Sequence, residues 1–483
     1  MLDGYEMTVG LEIHVQLDTD TKIFCGCKNE FGAEPNHHTC PICLGLPGTL
    51  PVLNEKAVEY IVKAGLALNC EINTFSKFDR KNYFYADLPK AYQISQFDLP
   101  FCEDGHVMIQ LEDETEMKIG ITRIHLEEDA GKLNHAGEGI ASSDSSLVDY
   151  NRVGTPLIEI VSEPDIHSPE QAIAYLKKIK SILEYIGVSD CDMSQGSMRA
   201  DVNISVAPTG SDELGTRTEL KNMNSFKAIE KALKYEPKRQ IKVLESGGEI
   251  IQGTLTWDDE AGKTIPMRSK EEAHDYRYFP EPDLVPVIVE QEWVDGIEDS
   301  LPELPDARQK RYVEELGIPE YDAMVITADR EMADFFEAVV KEHNDAKAIS
   351  NWIMGDFSRL LNEESITIAE VKFKPADLAQ MLKLMDEGTI SSKIAKTVFE
   401  EMFATGKNPD TIVEEKGLKQ ISDTSELEKI IDQVIADNQS ALEDYRGGNK
   451  NVFGFFIGQT MKATRGKANP GMVNKILKEK LEG

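Results

Sequence analysis

Three kinds of residue in this 483-residue chain have the types and spacing to do chemistry. They are alternating strands with Glu, His, Arg and Asp on one side, close cysteine pairs, and basic residues interleaved with aromatics. In Gly120–Lys132, period-two alternation puts Ile124 and Leu126 on one face and Arg123, His125 and Glu127 on the other. Glu128, Asp129 and Lys132 then crowd the strand end beside Gly131. Three consecutive acids repel one another unless a cation or donors neutralise them, and a hard divalent cation such as Mg²⁺ prefers oxygen ligands. A solvated strand end is the alternative for this stretch alone.

Other segments share the design. Gly10–Leu17 sets Glu12, His14 and Gln16 against four apolar residues. Met198–Val206 sets Arg199, Asp201, Asn203 and Ser205 against Met198, Ala200, Val202, Ile204 and Val206. Thr216–Asn222 gathers Arg217, Glu219 and Lys221 on one face, and Pro156–Val161 is mostly apolar with Glu159 as its single charge. These polar types bind metals and phosphates, which favours one sheet with a functional polar face over a merely solvated one.

Cys25-Gly-Cys27 and Cys40-Pro-Ile-Cys43 are two close pairs about a dozen residues apart, a spacing that suits tetrahedral Zn²⁺. A closed four-thiolate site has no open position, so its expected role is structural. Buried thiols are the alternative, and His37 or His38 could stand in as ligands. Cys70, Cys102 and Cys191 are isolated and read as small buried hydrophobes. In Ser76–Gln96, Lys77, Arg80, Lys81 and Lys90 interleave with Tyr83, Phe84, Tyr85 and Tyr92, which suits an unpaired nucleotide with its base stacked and its phosphate held. An aromatic strand with basic flanks is the alternative. His274–Asp283 is a second such segment, and Gly137–Ser146 reads as a loop.

The elements that must position these residues change texture along the chain. Residues 1–295 read as strand-rich, with the cysteine insertion at 25–43. Residues 296–410 and 411–483 read as helical, through Ala307–Leu316, Arg330–Val340, Ala346–Leu361, Pro375–Asp386 and four segments between Thr424 and Lys480. The net charge of −34 excludes nucleic-acid binding by the whole surface. Tyr445–Gly483 nevertheless carries 8 Lys/Arg against 2 Asp/Glu, so local RNA contact is expected there, through Lys462, Arg465, Lys467, Lys475 and Lys478. No signal-like N-terminus or membrane-length apolar run is present, and an odd cysteine count of 7 favours a reducing compartment, so a cytoplasmic location is expected. The chain has no P-loop and no Gly-x-Ser-x-Gly elbow, which argues against amide hydrolysis by a serine nucleophile.

Several of these segments resemble the GatB family, one of the component chains of the tRNA-dependent amidotransferases: Gly10-Leu-Glu-Ile-His-Val-Gln-Leu17, Phe78–Tyr85, Ala91–Gln96, His125-Leu-Glu-Glu-Asp-Ala-Gly-Lys132, Pro156–Asp165, Asp275–Asp283 and Gly458–Pro470. The resemblance runs nearly end to end. It implies an α+β chain: a glutamine-synthetase-like antiparallel-sheet cradle, an all-α domain and a small helical tail that binds tRNA. It implies a heterotrimer completed by an amidase partner and a small third partner. ATP would phosphorylate the side-chain carboxylate of misacylated Glu-tRNA(Gln) or Asp-tRNA(Asn), and ammonia would displace the phosphate. The family's Mg²⁺ site matches His14, Glu127 and Glu159, with Glu12 close by. Arg199, Arg217 and Lys221 are then expected to neutralise the phosphoryl group. Asp201, Asn203 and Glu219 share their face, and the first two are placed to orient a metal-bound water or the ribose. Lys81, Tyr83, Lys90 and Tyr92 are expected at the tRNA acceptor end. Gln195-Gly-Ser197 departs from a common family pattern and is given no role. Rival readings are a non-catalytic tRNA-holding scaffold and a free-standing carboxylate–amine ligase.

Overall fold

The computed structural model describes residues 4–135, 145–267, 276–420, 424–464 and 467–482. Residues 137–144 of the expected loop, His274, Asp275 and Arg465 lie outside the described residues. The chain divides into two compact units, Met1–Leu304 and Pro305–Gly483.

The first unit is built on a nine-stranded sheet. Its strands are β1 (Tyr5–Gln16), β2 (Glu71–Ile72), β3 (Cys102–Gln110), β4 (Glu116–Glu128), β5 (Pro156–Ser162), β6 (Met198–Pro208), β7 (Thr218–Lys221), β8 (Gly253–Asp258) and β9 (Lys263–Pro266), in the spatial order β9-β8-β7-β6-β1-β5-β4-β3-β2. The strictly alternating β1 lies near the middle, with Val9, Leu11, Ile13 and Val15 all buried. On the core side sit helices α1 (Glu55–Ala67), α2 (Pro169–Tyr185) and α3 (Phe226–Glu245). α2 starts where the Ser168 side chain accepts from the Gln171 N–H and Pro169 follows, an N-cap with a proline at the first helical position. It buries Ala172, Leu176, Ile179 and Leu183 at helical spacing. Removing one such side chain, as in Ile179→Ala, costs about 2–5 kcal/mol.

One pair departs from the antiparallel expectation: β7 and β8 run parallel, Thr218 opposite Gly253. The chain crosses over through α3 between them, and only a crossover of that length can return a strand in the same direction. Helix α4 (Gln291–Asp299) buries Val294 and Ile297 in this unit's core, so position 296 falls inside a helix rather than between folded bodies.

Among the described residues, the second unit is helical apart from turns and connections. Arg330–Glu342, Pro375–Asp386, Thr424–Asp437 and Gln439–Arg446 fall where periodicity puts them. Helices at Glu320–Thr327, Ser392–Thr405 and Pro409–Glu415 lie outside the segments that periodicity picks out. The segment from Ala346 holds a π-helical turn at Ile353–Phe357 before resuming as Ser358–Glu364. One apolar cluster runs from Tyr312 to Val413, and another from Leu427 to Leu481.

Candidate active site and cysteine cluster

Register assembles the site. His125 on β4 is directly opposite Glu159 on β5, Glu159 is opposite His14 on β1, and His14 is opposite Arg199 on β6. Four strands thus set one polar row across the sheet. Glu127 lies two residues along β4 on the same face. His14 Nε2 is 3.3 Å from Glu159 and 3.9 Å from Glu127. His125 Nε2 is 3.4 Å from Glu159 and 3.5 Å from Glu127, and the Ser95 hydroxyl donates to Glu127 at 3.0 Å. The ligand atoms of His14, Glu127 and Glu159 lie within 4.8 Å of one another.

Charge is concentrated there. Burial alone would lower the His125 pKa, but the carboxylates of Glu159 and Glu127 outweigh it and bring it up to about 9. His14 is raised in the same way, its burial overcome by the Glu159 hydrogen bond and charge. Burial opposes ionisation of Glu127 and Glu159. His125 and Lys81 nonetheless hold Glu127 below its ordinary value, and His125 and His14 hold Glu159 well below its own.

Beside this cluster a second one forms. The carboxylates of Glu12, Asp201 and Glu219 converge within 4.8 Å. Lys221 donates to Asp201 and Glu219, each at 2.9 Å, and Asn203 donates to Glu12 at 2.9 Å. Burial, then the neighbouring Glu159, raises Glu12. His14 and Glu159 of the first cluster and all three carboxylates of the second line one open cleft of about 500 Å³, with Arg217 exposed at its rim and Tyr276 and Tyr278 on its wall, while Glu127 is buried and outside that lining.

Lys81 and Lys90 part company. Both belong to the segment that the aromatic–basic pattern assigns to RNA. Lys81, on the strand Asp79–Asn82, lines the carboxylate cleft, 4.9 Å from the Tyr276 ring centre, and the charges of Glu127 and Glu159 overcome burial to raise it. The Lys90 ammonium is instead paired with Glu128. The Tyr92 ring lies under the Arg80 guanidinium at 4.2 Å, and Arg80 is forked onto Glu281. Tyr83 donates to Gln93 at 3.2 Å.

The three acids Glu127, Glu128 and Asp129 do not form one metal-binding group, contrary to the crowding expected at that strand end. Pleating turns Glu128 away from Glu127, toward Lys90 and the Ile94 N–H. Asp129 accepts from Gln16 and Arg199 at 2.8 and 3.1 Å and lies 3.4 Å from Arg152. These guanidinium groups override burial and hold it at about 2. Arg199 is thus directed at Asp129, and neither residue lines the carboxylate cleft. Residue pattern alone missed Lys81 as part of the cleft, Tyr276 and Tyr278 as its wall, and Arg152. Alternation puts His125 on this face, and its position opposite Glu159 makes it part of the row.

Outside that row, the four sulfurs of Cys25, Cys27, Cys40 and Cys43 lie within 4.8 Å of one another. A tetrahedral zinc with Zn–S of about 2.3 Å spaces its sulfurs by about 3.8 Å, so the set fits one. The Cys40 N–H donates to Cys43 Sγ at 3.1 Å. The Cys25 thiol's hydrogen bond outweighs burial and, with the Cys40 N–H and Lys22, holds Cys43 down at about 5. The His38 ring faces Glu30 at 3.8 Å and is not part of the sulfur set. In the tail, Lys462, Lys475 and Lys478 are exposed and Lys467 is half-buried. No described helix is long and apolar enough to cross a membrane.

The sequence matches the GatB/GatE catalytic domain family over residues 7–295 and the GatB domain family over residues 334–481. It is 62% identical over 477 residues to the GatB-type chain of the aspartyl/glutamyl-tRNA(Asn/Gln) amidotransferase of Thermoanaerobacter sp., covering 99% of both chains. Its identity to the corresponding chains from Carboxydothermus hydrogenoformans and Geotalea daltonii is 58%, over 99% of this chain and 99% and 100% of theirs. With both domains matched in series and more than half of all positions identical, the chain belongs to the GatB family of the aspartyl/glutamyl-tRNA(Asn/Gln) amidotransferases.

Proposed function

We propose that this chain is the carboxylate-activating component of a cytoplasmic tRNA-dependent amidotransferase, working in a heterotrimer with an amidase partner and a small third partner. Its substrates are ATP and a misacylated Glu-tRNA(Gln) or Asp-tRNA(Asn). The observation that carries the proposal is the cross-strand row His125, Glu159, His14 with Glu127 beside it, opening into a polar cleft.

A carboxylate is a poor acceptor for ammonia because oxide is a poor leaving group, and phosphorylation replaces oxide with phosphate. Phosphoryl transfer asks mainly for positioning and charge stabilisation. His14, Glu127 and Glu159 would hold Mg²⁺, which prefers oxygen ligands and keeps several waters, and Glu12 stands at the adjoining cluster. When bound, the ion supplies charge that offsets the ATP phosphates. Lys81, Arg217 and Lys221 face the same space and would neutralise the transferring group, while Asp201, Asn203 and Glu219 orient its surroundings. Arg199 acts by holding Asp129.

The strand-rich region, with α4 packed into its core, is then the catalytic cradle, of glutamine-synthetase-like form, followed from Pro305 by a helical domain to residue 410. A tail over 411–483 would hold the tRNA body through Lys462, Arg465, Lys467, Lys475 and Lys478. The buried pairing of Lys90 and the stacking of Tyr92 favour Lys81 for the chemistry and leave the rest of that segment as the wall on which an acceptor end arrives. Cys25, Cys27, Cys40 and Cys43 would hold structural Zn²⁺; Cys40→Ser should lower zinc content and melting temperature together.

The deciding experiment reconstitutes the trimer and follows ATP use and amide formation with each misacylated tRNA. ATP consumption that depends on the misacylated tRNA and disappears in Glu127→Ala supports the reading. Full ATP turnover in that variant would mean that this chain only holds tRNA.

A further inference from the structure

Lys22 is among the most deeply buried large side chains of the molecule, 1% exposed. Its ammonium donates to the His38 carbonyl at 2.6 Å and to the Tyr150 carbonyl at 3.4 Å, and it stands 3.9 Å from Cys43 Sγ. No carboxylate pairs with it among the described residues. Carbonyls supply dipoles but no formal charge, and a buried ammonium without a counter-charge is strongly disfavoured. Four thiolates around a dication carry a net charge of −2, and Cys43 brings that charge into contact with Lys22. The need is mutual: among the described residues Cys43 has one backbone donor, the Cys40 N–H, and Lys22 is the buried cation beside it.

We propose that Lys22 is the counter-ion of a metal-loaded Cys25/Cys27/Cys40/Cys43 set and fastens that set to the 148–155 segment. The inference rests on the structural-zinc reading. The segment is already stitched to the loop between the cysteine pairs. The His38 and Asn36 N–H groups donate to Asn151 and Asp149, and the Asn36 and Asn151 amides donate to the Val148 and Glu34 carbonyls. From that segment Arg152 reaches Asp129, Ala130 and Gly131, and the chain continues into β5 and Glu159. Lys22 is thus a positioning residue: it touches no reacting atom, and it couples metal loading to the placement of the segment that enters the polar row.

The test uses the full-length chain as wild type, Lys22→Met and Lys22→Arg. Zinc content is measured first, then the rate of zinc transfer to a chromogenic chelator. Lys22→Met should release zinc about 10–100-fold faster, the range for lost support around a metal site, and Lys22→Arg should stay close to wild type. Unchanged release from Lys22→Met overturns the counter-ion role. If Lys22→Met does not fold, wild type is treated with an amine-acylating reagent before and after chelation and mapped by mass spectrometry. Lys22 should be protected when zinc is bound and modified once it is removed; equal protection in both states overturns the proposal. Wild type that binds no zinc refutes the zinc reading itself, a result distinct from bound zinc that is indifferent to Lys22.

Discussion

The polar row of the large sheet and the Arg308 network of the helical unit are made of similar ionised residues and are arranged in opposite ways. In the helical unit Arg308 donates to Asp334 at 2.6 Å and to Glu337 at 2.7 Å, Arg311 donates to Glu337 at 2.5 Å, and Tyr312 donates to it at 2.9 Å. Each charge is aimed at a partner, and the geometry is closed. In the sheet His14 and His125 stand 3.3 to 3.9 Å from Glu127 and Glu159. There the groups are aimed at a shared space. Short, saturated contacts mark charge used to hold a fold, whereas longer contacts around a cleft mark charge held ready for a ligand.

The comparison breaks most visibly at Glu127. Glu127→Ala in the reconstituted trimer should lower ATP-dependent amide formation by about 10²–10³-fold, the usual cost of losing one preorganised electrostatic group. Its melting temperature should change little, because the side chain faces like charge at Glu159 as well as partners. A large loss of stability with activity retained would place Glu127 in the structural class. The converse substitution is Arg308→Met. Breaking a buried pair costs about 3–5 kcal/mol, and partial solvation of Glu337 and Asp334 reduces this to about 2 kcal/mol. Thermal melting of the helical unit should show that loss, while kcat at saturating substrates stays unchanged.

pH sharpens the same contrast. Burial opposes ionisation of Glu337, but Arg308 and Arg311 hold its pKa down at about 2, below the unfolded value of about 4.3. A depressed pKa contributes stability that is full above the unfolded value and is lost as pH falls through the folded one. The stability gap between wild type and Glu337→Gln should therefore be constant above about pH 5 and close progressively toward pH 2. Acid melts of the two proteins check it, and a gap independent of pH across that range refutes the ion-pair assignment. The smallest effect belongs to charge that has neither role within the fold. Lys475 is exposed on the tail, and Lys475→Ala should leave melting unchanged while lowering the log–log salt slope of tRNA binding by about 0.7–0.9. An unaltered slope would make that lysine an ordinary solvated residue.

Much of the polar row is legible from residue order, because a strand has only two faces. Leu11, Ile13 and Val15 must be buried, so Glu12 and His14 share the other side, and the same logic fixes Arg199, Asp201 and Asn203. The cysteine spacing reads just as directly, since the four sulfurs come from one short stretch. Alternation also shows why the three-acid cluster fails: Glu127 and Glu128 are adjacent and must point apart. What stays hidden is placement across long sequence distances. Nothing in the order of Lys81 and Lys90 shows that one enters the carboxylate cleft and the other pairs with Glu128. Tyr276 and Tyr278 reach the cleft because Phe279–Pro280 pairs with Asp79–Asn82, a register no local pattern announces. The parallel β7–β8 pair is hidden for the same reason, since it depends on where α3 delivers the chain.

The position of β1 has a consequence for biosynthesis. This regularly alternating strand leaves the ribosome well before its two partner strands, which meet it at Val161 on one side and Asp201 on the other. At elongation rates of roughly 5–20 residues per second, its two edges stay unpaired for on the order of ten seconds. An apolar strand with open edges is the species most prone to self-association. Nascent chains truncated before β5 should therefore recruit chaperones and aggregate, whereas chains extended past β6 should become protease-resistant in a single step.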